Sequence, residues 1–257
     1  MIKLVFTLVF FALSIFEINA QRAITDKPPT PFGSVKNIRT EIVMLENKNG
    51  KLVEGDKGLL TETSFNSDKT KIEIVLSSNF RKESYSFTPK GKLTSWDLYE
   101  KDGRHSGTKT TFTYDSEGRL LEAIHYLLGS FSYKENFSSI AGEPCVQIKR
   151  QFKNGEKFDT QIEINCYDSK ENIVNSALYE SDKSLQSKEI YKYDQRGNPV
   201  EFLAYDTKRE LRAKEKYEYE FDSQGNWIRQ KSEMSSWDEC QNVEKSVKVI
   251  RRSISYY

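Results

Sequence analysis

The feature that most constrains this chain is a short phrase that recurs between residues 87 and 225. It consists of an aromatic residue, two or three turn-forming polar residues, a glycine and an apolar strand-former. The copies read FTPKGKL from Phe87, YDSEGRL from Tyr114, YDSKENI from Tyr167, YDQRGNP from Tyr193 and FDSQGNW from Phe221. Recurrence at a period of roughly 26 residues indicates a repeat architecture, in which each unit is one supersecondary motif. The repeated positions carry turn chemistry, so they define how the chain is built and not what it does.

Each copy has the physical character of a strand, a tight turn and a second strand. Ahead of the last turn, Tyr217, Tyr219 and Phe221 alternate with glutamates, and alternation at period two places the rings on one face of a strand. At the turns, aspartates can bond the backbone two residues ahead, and glycines can adopt a positive φ. These predicted turn residues are Gly91, Gly118, Gly197, Gly225, Asp115, Asp194 and Asp222. In the third copy Glu171 takes the glycine position, and we expect Asn172 to adopt the left-handed conformation there.

The length of the repeat predicts an all-β fold. Roughly 26 residues hold two strands and two turns, whereas a crossover helix would leave too little room. Good helix formers occupy the middle of 201–221, but the alternating tyrosines favour a strand, a charged loop and a strand. The mean hydropathy of −0.69 is too low for a sandwich with two apolar inner faces. We therefore expect an antiparallel meander of repeated β-hairpins that forms one curved, elongated sheet, with further turns near Gly50, Gly142 and Gly155.

The N-terminus has the layout of a secretory signal peptide. Lys3 precedes an apolar run that ends at Phe16, and a short finish ends at Ala20. A permanent single-pass anchor is the alternative, but the run is shorter than the ~20 residues that span a bilayer. We expect a signal peptide over 1–20, a proline-containing lead-in over 21–35 and one β-repeat domain over 36–257. The mature protein would then be secreted or periplasmic, at the cell envelope.

Three cysteines in an exported chain raise the question of a disulfide. Cys145 and Cys166 flank a hairpin, and the alternation of its apolar residues sets the two cysteines one residue out of step. A bulge at Gly155 would shift the pairing by one and bring the sulfurs together. Cys145–Cys166 is therefore the candidate disulfide, closing a loop of about 20 residues and contributing about 3 kcal/mol. Three reduced thiols are the alternative, and the pairing of Cys240 stays open.

The catalytic inventory is thin. Neither His105 nor His125 lies at a ligand-like spacing from a Cys, Asp or Glu, and no HExxH, CxxC or P-loop occurs. One aspartate per repeat is too few for the six to eight oxygens that calcium takes, so capping of the turn is favoured. We predict no catalytic residue, no cofactor and no metal site, hence a non-enzymatic protein. The alternative is a secreted hydrolase whose carboxylate pair the sequence does not single out.

Charge and aromatic content limit the kinds of molecule that the chain is expected to bind. Lys plus Arg is 39 against 38 Asp plus Glu, and so even a balance gives no long-range field to attract nucleic acid. Alternating rings along strands indicate cross-strand ladders that hold a sheet together, with sugar stacking as the alternative. The rings to test for ligand stacking are Trp96, Trp227 and Trp237.

Three segments carry a family resemblance. YDSEGRLLEAIHY, YKYDQRGNPVEFLAYD and YEFDSQGNWIRQKSEM resemble the YD repeats of the RHS/teneurin type, over roughly residues 85 to 230. The resemblance implies a short, stand-alone exported protein of β-hairpins with no catalytic residues to carry over. The predicted function is a binding or structural module at the cell envelope, partnered by a cell-surface polysaccharide or another envelope protein, with no stable membrane span after cleavage. The alternatives are a secreted carbohydrate-active protein, either sugar-binding or hydrolytic, and an accessory of an RHS-type toxin system.

Export gives the first testable prediction. N-terminal sequencing of the protein recovered outside the cytoplasm should begin at or near Gln21, because the apolar run is a cleavable leader. Recovery of a mature chain that still contains the run ending at Phe16 would contradict it.

Overall fold

The computed structural model describes residues 34–48, 51–68, 70–76, 81–154, 157–238 and 242–257, which form sixteen β-strands. The first eight are β1 (Val35–Lys48), β2 (Lys51–Phe65), β3 (Lys71–Leu76), β4 (Lys82–Phe87), β5 (Leu93–Tyr99), β6 (His105–Tyr114), β7 (Leu120–Leu127) and β8 (Ser130–Ser139). The second eight are β9 (Cys145–Asn154), β10 (Lys157–Tyr167), β11 (Ile173–Glu180), β12 (Leu185–Tyr193), β13 (Pro199–Tyr205), β14 (Leu211–Phe221), β15 (Trp227–Trp237) and β16 (Val243–Tyr256).

The strands form a closed antiparallel barrel. Each strand pairs with its neighbours in sequence, and β1 pairs with β16. The predicted all-β antiparallel meander is confirmed, including the strand, loop and strand over 201–221. The predicted curved, elongated open sheet is wrong, because the two ends of the sheet meet. Closure satisfies the backbone groups that an open sheet leaves unpaired at both edges. No local pattern in the sequence predicts this closure.

The seam between β1 and β16 is held by the backbone ladder and by side chains. Val43 lies opposite Val249, and each is only 1% exposed. Beside them Arg251 forms an ion pair with Glu54 of β2. The hydroxyl of Tyr257 donates to the carbonyl of Phe65 at 2.6 Å, which ties the chain end to β2. The barrel is therefore closed by contacts between residues about 200 positions apart in sequence.

The recurrent turns share one geometry. Asp194 Oδ1 accepts the backbone N–H groups of Arg196 and Asn198, both at 2.8 Å, and Asp222 and Asp115 act in the same way on their own turns. The glycines of these turns have φ near +80°, a region that a Cβ penalises. They are Gly91 (78°), Gly118 (83°), Gly197 (83°) and Gly225 (88°), and Gly142 (78°) adopts the same conformation. Gly50 and Gly155 lie outside the described residues.

A tyrosine near the end of each of three strands fastens one hairpin to the preceding strand. The hydroxyls of Tyr114, Tyr193 and Tyr219 donate to backbone carbonyls at the start of β5, β11 and β13, at 2.7, 2.7 and 2.8 Å. Tyr114 and Tyr193 also sit at irregularities of the ladder. These bonds repeat with the sequence period, so the tyrosine of the repeated phrase has a structural role.

The two faces of the sheet differ in burial. On one face of β6 and β8, Thr110, Phe112, Glu135 and Phe137 are all buried. The opposite face carries lysines, and the side chain of Lys192 there is 65% exposed. Side chains converge on the concave side of a closed sheet and are shielded there, so we assign the face that carries this buried set on β6 and β8 as the inner face. A hydrophobic cluster on that face joins β3 to β9 through Ile72, Tyr85, Leu93, Phe112, Ala123, Phe137 and Ile148.

The third copy of the phrase turns differently from the prediction. Glu171 itself holds φ at 64°, whereas Asn172 was expected to adopt the left-handed conformation. Asn172 instead donates its backbone N–H and its amide to the two carboxylate oxygens of Asp168, both at 2.9 Å. The prediction for Asn172 is wrong because these bonds hold it at the next position of the turn.

The turn geometry generates the second prediction. Glu171→Gly should raise the free energy of unfolding by about 1 kcal/mol, because glycine carries no Cβ penalty at this φ. The matched change Gly197→Ala should lower it by about 1 kcal/mol, and its Cβ would lie 3.4 Å from Asn172 Oδ1. Urea denaturation of both variants measures the effect. Equal stability of both variants and the parent would mean that these turns impose no conformational demand.

Candidate functional site

A belt of glutamates runs around the inner face. Cross-strand registers place all five on the same side of the sheet as the buried aromatic cluster. They occupy every second strand from β4 to β14, with Thr110 in the corresponding place on β6: Glu83, Glu135, Glu163, Glu189 and Glu215. The residue two positions after each of these glutamates also lies on the inner face, and in three cases it is a tyrosine. The belt was not predicted, although a glutamate two residues before an inward-facing ring is visible in several copies of the repeat.

Three glutamates of the belt are held by the tyrosine two residues further along the same strand. Tyr85 donates to Glu83 at 2.7 Å, Tyr191 to Glu189 at 2.6 Å and Tyr217 to Glu215 at 2.8 Å. Burial and the adjacent carboxylate raise the pKa of Tyr85 and of Tyr191. The phenols therefore stay protonated and act as donors at neutral pH.

Arg150 joins the other two glutamates of the belt. Its Nε donates to Glu135 at 2.7 Å, and its Nη2 lies 2.5 Å from Glu163. Burial alone would lower the pKa of Arg150, but Glu163 and Glu135 outweigh it and raise the pKa. Burial likewise acts to raise the pKa of Glu135, but His125 and Arg150 lower it overall. Arg150 and Glu135 are therefore charged at neutral pH, and the Arg150 guanidinium lies between two buried carboxylates.

His125 extends this network towards β6. One ring nitrogen lies 2.9 Å from Thr110 Oγ1 and the other 3.2 Å from Glu135. The ring stacks on Tyr133 with centroids 3.9 Å apart. His125 lies in β7, and His105 begins β6 with its Nε2 3.1 Å from Asp97. Within the described chain no group of three or more His, Cys, Asp or Glu could hold a metal ion.

Two glutamates of the belt contact no cation in the described part of the chain. Glu83 has Tyr85 and, at 3.4 Å, the Trp96 indole as donors, and Glu189 has Tyr191. Burial raises the pKa of Glu189 and Glu163 adds to the rise, against the Tyr191 hydrogen bond. By contrast, Lys248 Nζ lies 3.0 Å from Glu215 Oε1, an ion pair whose geometry is not that of a hydrogen bond. The inner face is thus acidic at the belt.

The three tryptophans do not share one face. Trp96 lies opposite Tyr85 and Thr110 on the inner face. Trp227 contacts Tyr219 and also Arg252, whose register places it on the inner face. Trp237, however, is paired with Val243 and has the opposite parity to the inner residues of β15. Two of the three candidate stacking rings are therefore available to a ligand inside the barrel.

The two cysteines of the candidate disulfide lie directly opposite each other. In the register of β9 with β10, Cys166 pairs with Cys145, and the sulfurs are bonded at 2.13 Å. The register differs by one residue from the one that apolar alternation indicated. Gly155, the expected site of the shift, and Cys240 lie outside the described residues. The bond lies on the outer face and takes no part in the glutamate belt.

Comparisons with known proteins give a fold likeness without a family. No family model matches the chain, and no curated protein does. A porin-like protein from Bacteroides uniformis matches 88% of this chain and 99% of its own, at 10% identity and a TM-score of 0.41. A LolA superfamily protein from Nitrosomonas europaea covers 92% and 93% at 10% identity and 0.29. A DUF1329 family protein from Desulfovibrio piger covers 94% and 91% at 13% identity and 0.25.

These findings overturn the resemblance to RHS/teneurin YD repeats. No model of those repeats matches the chain, and the solved structures that match are porin-like, LolA-superfamily and DUF1329 proteins. The likeness was wrong because the Tyr-Asp pair and the glycine serve a turn that any β-hairpin of this register can use. With TM-scores below 0.5, the structural matches carry no conclusion about activity.

The Arg150 triad generates the third prediction. Arg150→Met should lower the free energy of unfolding by about 3–5 kcal/mol at pH 7, because it removes the cation that two buried carboxylates share. The pKa of Glu135 is depressed from 4.5 in the parent, so its stabilisation is present above that value and is lost as the pH falls further. In the variant, protonation would instead relieve the unpaired charge.

The difference between parent and variant should therefore shrink as the pH is lowered towards 4. Thermal or urea unfolding at the two pH values measures it, with Arg251→Met on the outer face as the control. A difference that is independent of pH would contradict the charged triad.

Proposed function

We propose that this chain is an exported, non-enzymatic binding protein of the cell envelope that takes its ligand on the inner face of the barrel. The observation that carries the proposal is a closed sixteen-stranded sheet whose inner face presents carboxylates bonded to phenols. A polar inner surface suits a ligand with hydrogen-bonding groups. A chain that merely needed a core would bury apolar side chains there.

The number of strands supports space for such a ligand inside the barrel. Side chains fill the interior of barrels with about eight strands, whereas barrels of about sixteen strands can enclose more space. Trp96 and Trp227 supply flat apolar surface to that interior.

The recurrence of the belt supports binding over catalysis. A glutamate on every second strand repeats with the period of the hairpins, as the tyrosine clamps do. Each carboxylate also has a donor from its own sheet. A feature that recurs with the hairpins is part of the repeated structure, whereas a catalytic site needs an arrangement of residues that occurs once.

Export and envelope partners rest on sequence and surface. The apolar run that ends at Phe16 supports export. On the outer face opposite charges alternate, and Glu201 lies between Lys192 and Lys214 at 2.6 and 3.0 Å, which lower its pKa to about 2. In the described part of the chain, no helix is long and apolar enough to cross a membrane. The partner we favour is a cell-surface polysaccharide or another envelope protein.

A second candidate function, hydrolysis of a glycosidic bond, is favoured by one observation. Glu189 has a raised pKa beside Glu163, and Arg150 holds Glu163. A pair of carboxylates held in two different environments is what such chemistry requires. The proposal of a binding protein predicts no release of reducing sugar from cell-wall polysaccharides. Release by the parent but not by Glu189→Gln would replace it with the hydrolase.

A binding panel gives the fourth prediction. Soluble oligosaccharides, amines and carboxylates should include a class that raises the melting temperature of the parent. Glu189→Gln should weaken the response to that class, because it alters the belt, whereas Glu201→Gln on the outer face should leave it unchanged. Thermal-shift titration measures both. A response that the outer-face change abolishes and the inner-face change spares would place the ligand elsewhere.

A further inference from the structure

Arg252 differs from the other cations of the inner face in the groups that contact it. Arg150 is bound by two carboxylates, and Lys248 lies beside Glu215. The Arg252 guanidinium lies 3.4 Å from the centroid of the Trp227 ring. Its Nε is buried and has no hydrogen-bond partner in the described part of the chain. There, no carboxylate lies within ion-pair distance of it.

An unpaired guanidinium in such a place is costly. Removing a charge from water without a counter-charge is among the most unfavourable events in folding. Burial lowers the pKa of Arg252 to about 9, opposed only by Tyr219. The group therefore remains charged at neutral pH, and no carboxylate in the described part of the chain is close enough to form an ion pair with it. A bound anion would supply the missing partner.

The geometry around Arg252 suits a bidentate oxyanion. Stacking on Trp227 occupies one flat face of the guanidinium and leaves its N–H edges free. Those edges match a carboxylate or a phosphate with two parallel hydrogen bonds. The nearby Tyr219 hydroxyl is already engaged, donating to Pro199 and accepting from Gln230.

Apolar side chains lie along the seam on both sides of Arg252 on the inner face. Arg252 pairs with Thr40 across the seam. On either side of this pair the same face carries two isoleucine pairs, Ile42 with Ile250 and Ile38 with Ile254. A ligand whose anionic group reaches Arg252 would thus lay an apolar segment along the seam of the barrel.

We propose that Arg252 and Trp227 form an oxyanion subsite on the inner face for an amphiphilic ligand that carries a carboxylate or a phosphate. This inference rests on the proposed function, since it requires the ligand to enter the barrel. The inference specifies the chemical class of the group at one end of that ligand.

Amphiphiles with one tail and four head groups test the subsite. Decanoate, decyl phosphate, decanol and decyltrimethylammonium are titrated into the full mature chain by calorimetry, below their micelle concentrations. At least one of the two oxyanions should bind roughly 10-fold or more tightly than the alcohol and the ammonium, because charge-assisted hydrogen bonds favour it. The ratio of decanoate to decyl phosphate distinguishes the two anions.

Variants link the binding to Arg252. Arg252→Met should weaken the favoured oxyanion by about 10-fold or more, Arg252→Lys by less, and Arg251→Met on the outer face not at all. The empty Arg252→Met barrel should be at least as heat-stable as the parent, because it loses an unpaired buried charge. Should that variant fail to fold, the head-group comparison on the parent still decides.

The outcomes separate the two proposals. Equal affinity for all four amphiphiles, or unchanged affinity in Arg252→Met, overturns the subsite. If neither oxyanion binds while the compound panel still gives a response that depends on Glu189, the subsite fails and the binding function stands. If nothing binds at all, both fail.

Discussion

The register of the hairpins depends on the side chain that caps each recurrent turn, a carboxylate in four of the five copies and Thr88 in the first. Asp194 fixes two backbone N–H groups ahead of it, and Tyr193, immediately before it, bonds back to the preceding strand. Because side chains alternate between the two faces, a slip of one residue would move every inward glutamate to the outside. The polar inner face therefore exists only because the turns hold the register. The turn chemistry that reveals nothing about function in the sequence is what positions the candidate site.

The local part of the fold could be predicted from the sequence, and its closure could not. Alternation of Tyr217, Tyr219 and Phe221 gives a strand wherever those residues lie, because a period of two belongs to the strand itself. Pairing of β1 with β16 depends on residues at opposite ends of the described chain, such as Ile42 and Ile250. Nothing within one repeat encodes that contact. The low hydropathy that indicated a half-solvated open sheet is explained instead by a barrel whose inner face is partly polar.

The candidate site, like the fold, has a part that could be predicted from the sequence and a part that could not. Glu189 and Glu215 recur at the repeat spacing, so the belt could have been found by aligning the copies on their tyrosines and noting the position two residues earlier. The Arg150 triad could not, because Glu135 and Glu163 approach it only through pairing between three strands. The one-residue difference in the register at Cys145 and Cys166 has a similar origin. Apolar alternation predicted that Ile162 and Ile164 share a face with Val146 and Ile148, whereas the observed register pairs Val146 and Ile148 with Asn165 and Glu163.

A repeat protein can acquire a site at the positions where one unit departs from the others. In this barrel the glutamates and tyrosines of the inner face satisfy one another and repeat, which makes them a frame. Arg252 does not repeat, and in the described chain no counter-charge balances it, although Trp227 holds its guanidinium in place. Evolution tolerates a cost of this kind where binding repays it, because a ligand that supplies the missing anion recovers the desolvation already incurred. The departure from the repeat is therefore the better guide to function than the repeat itself.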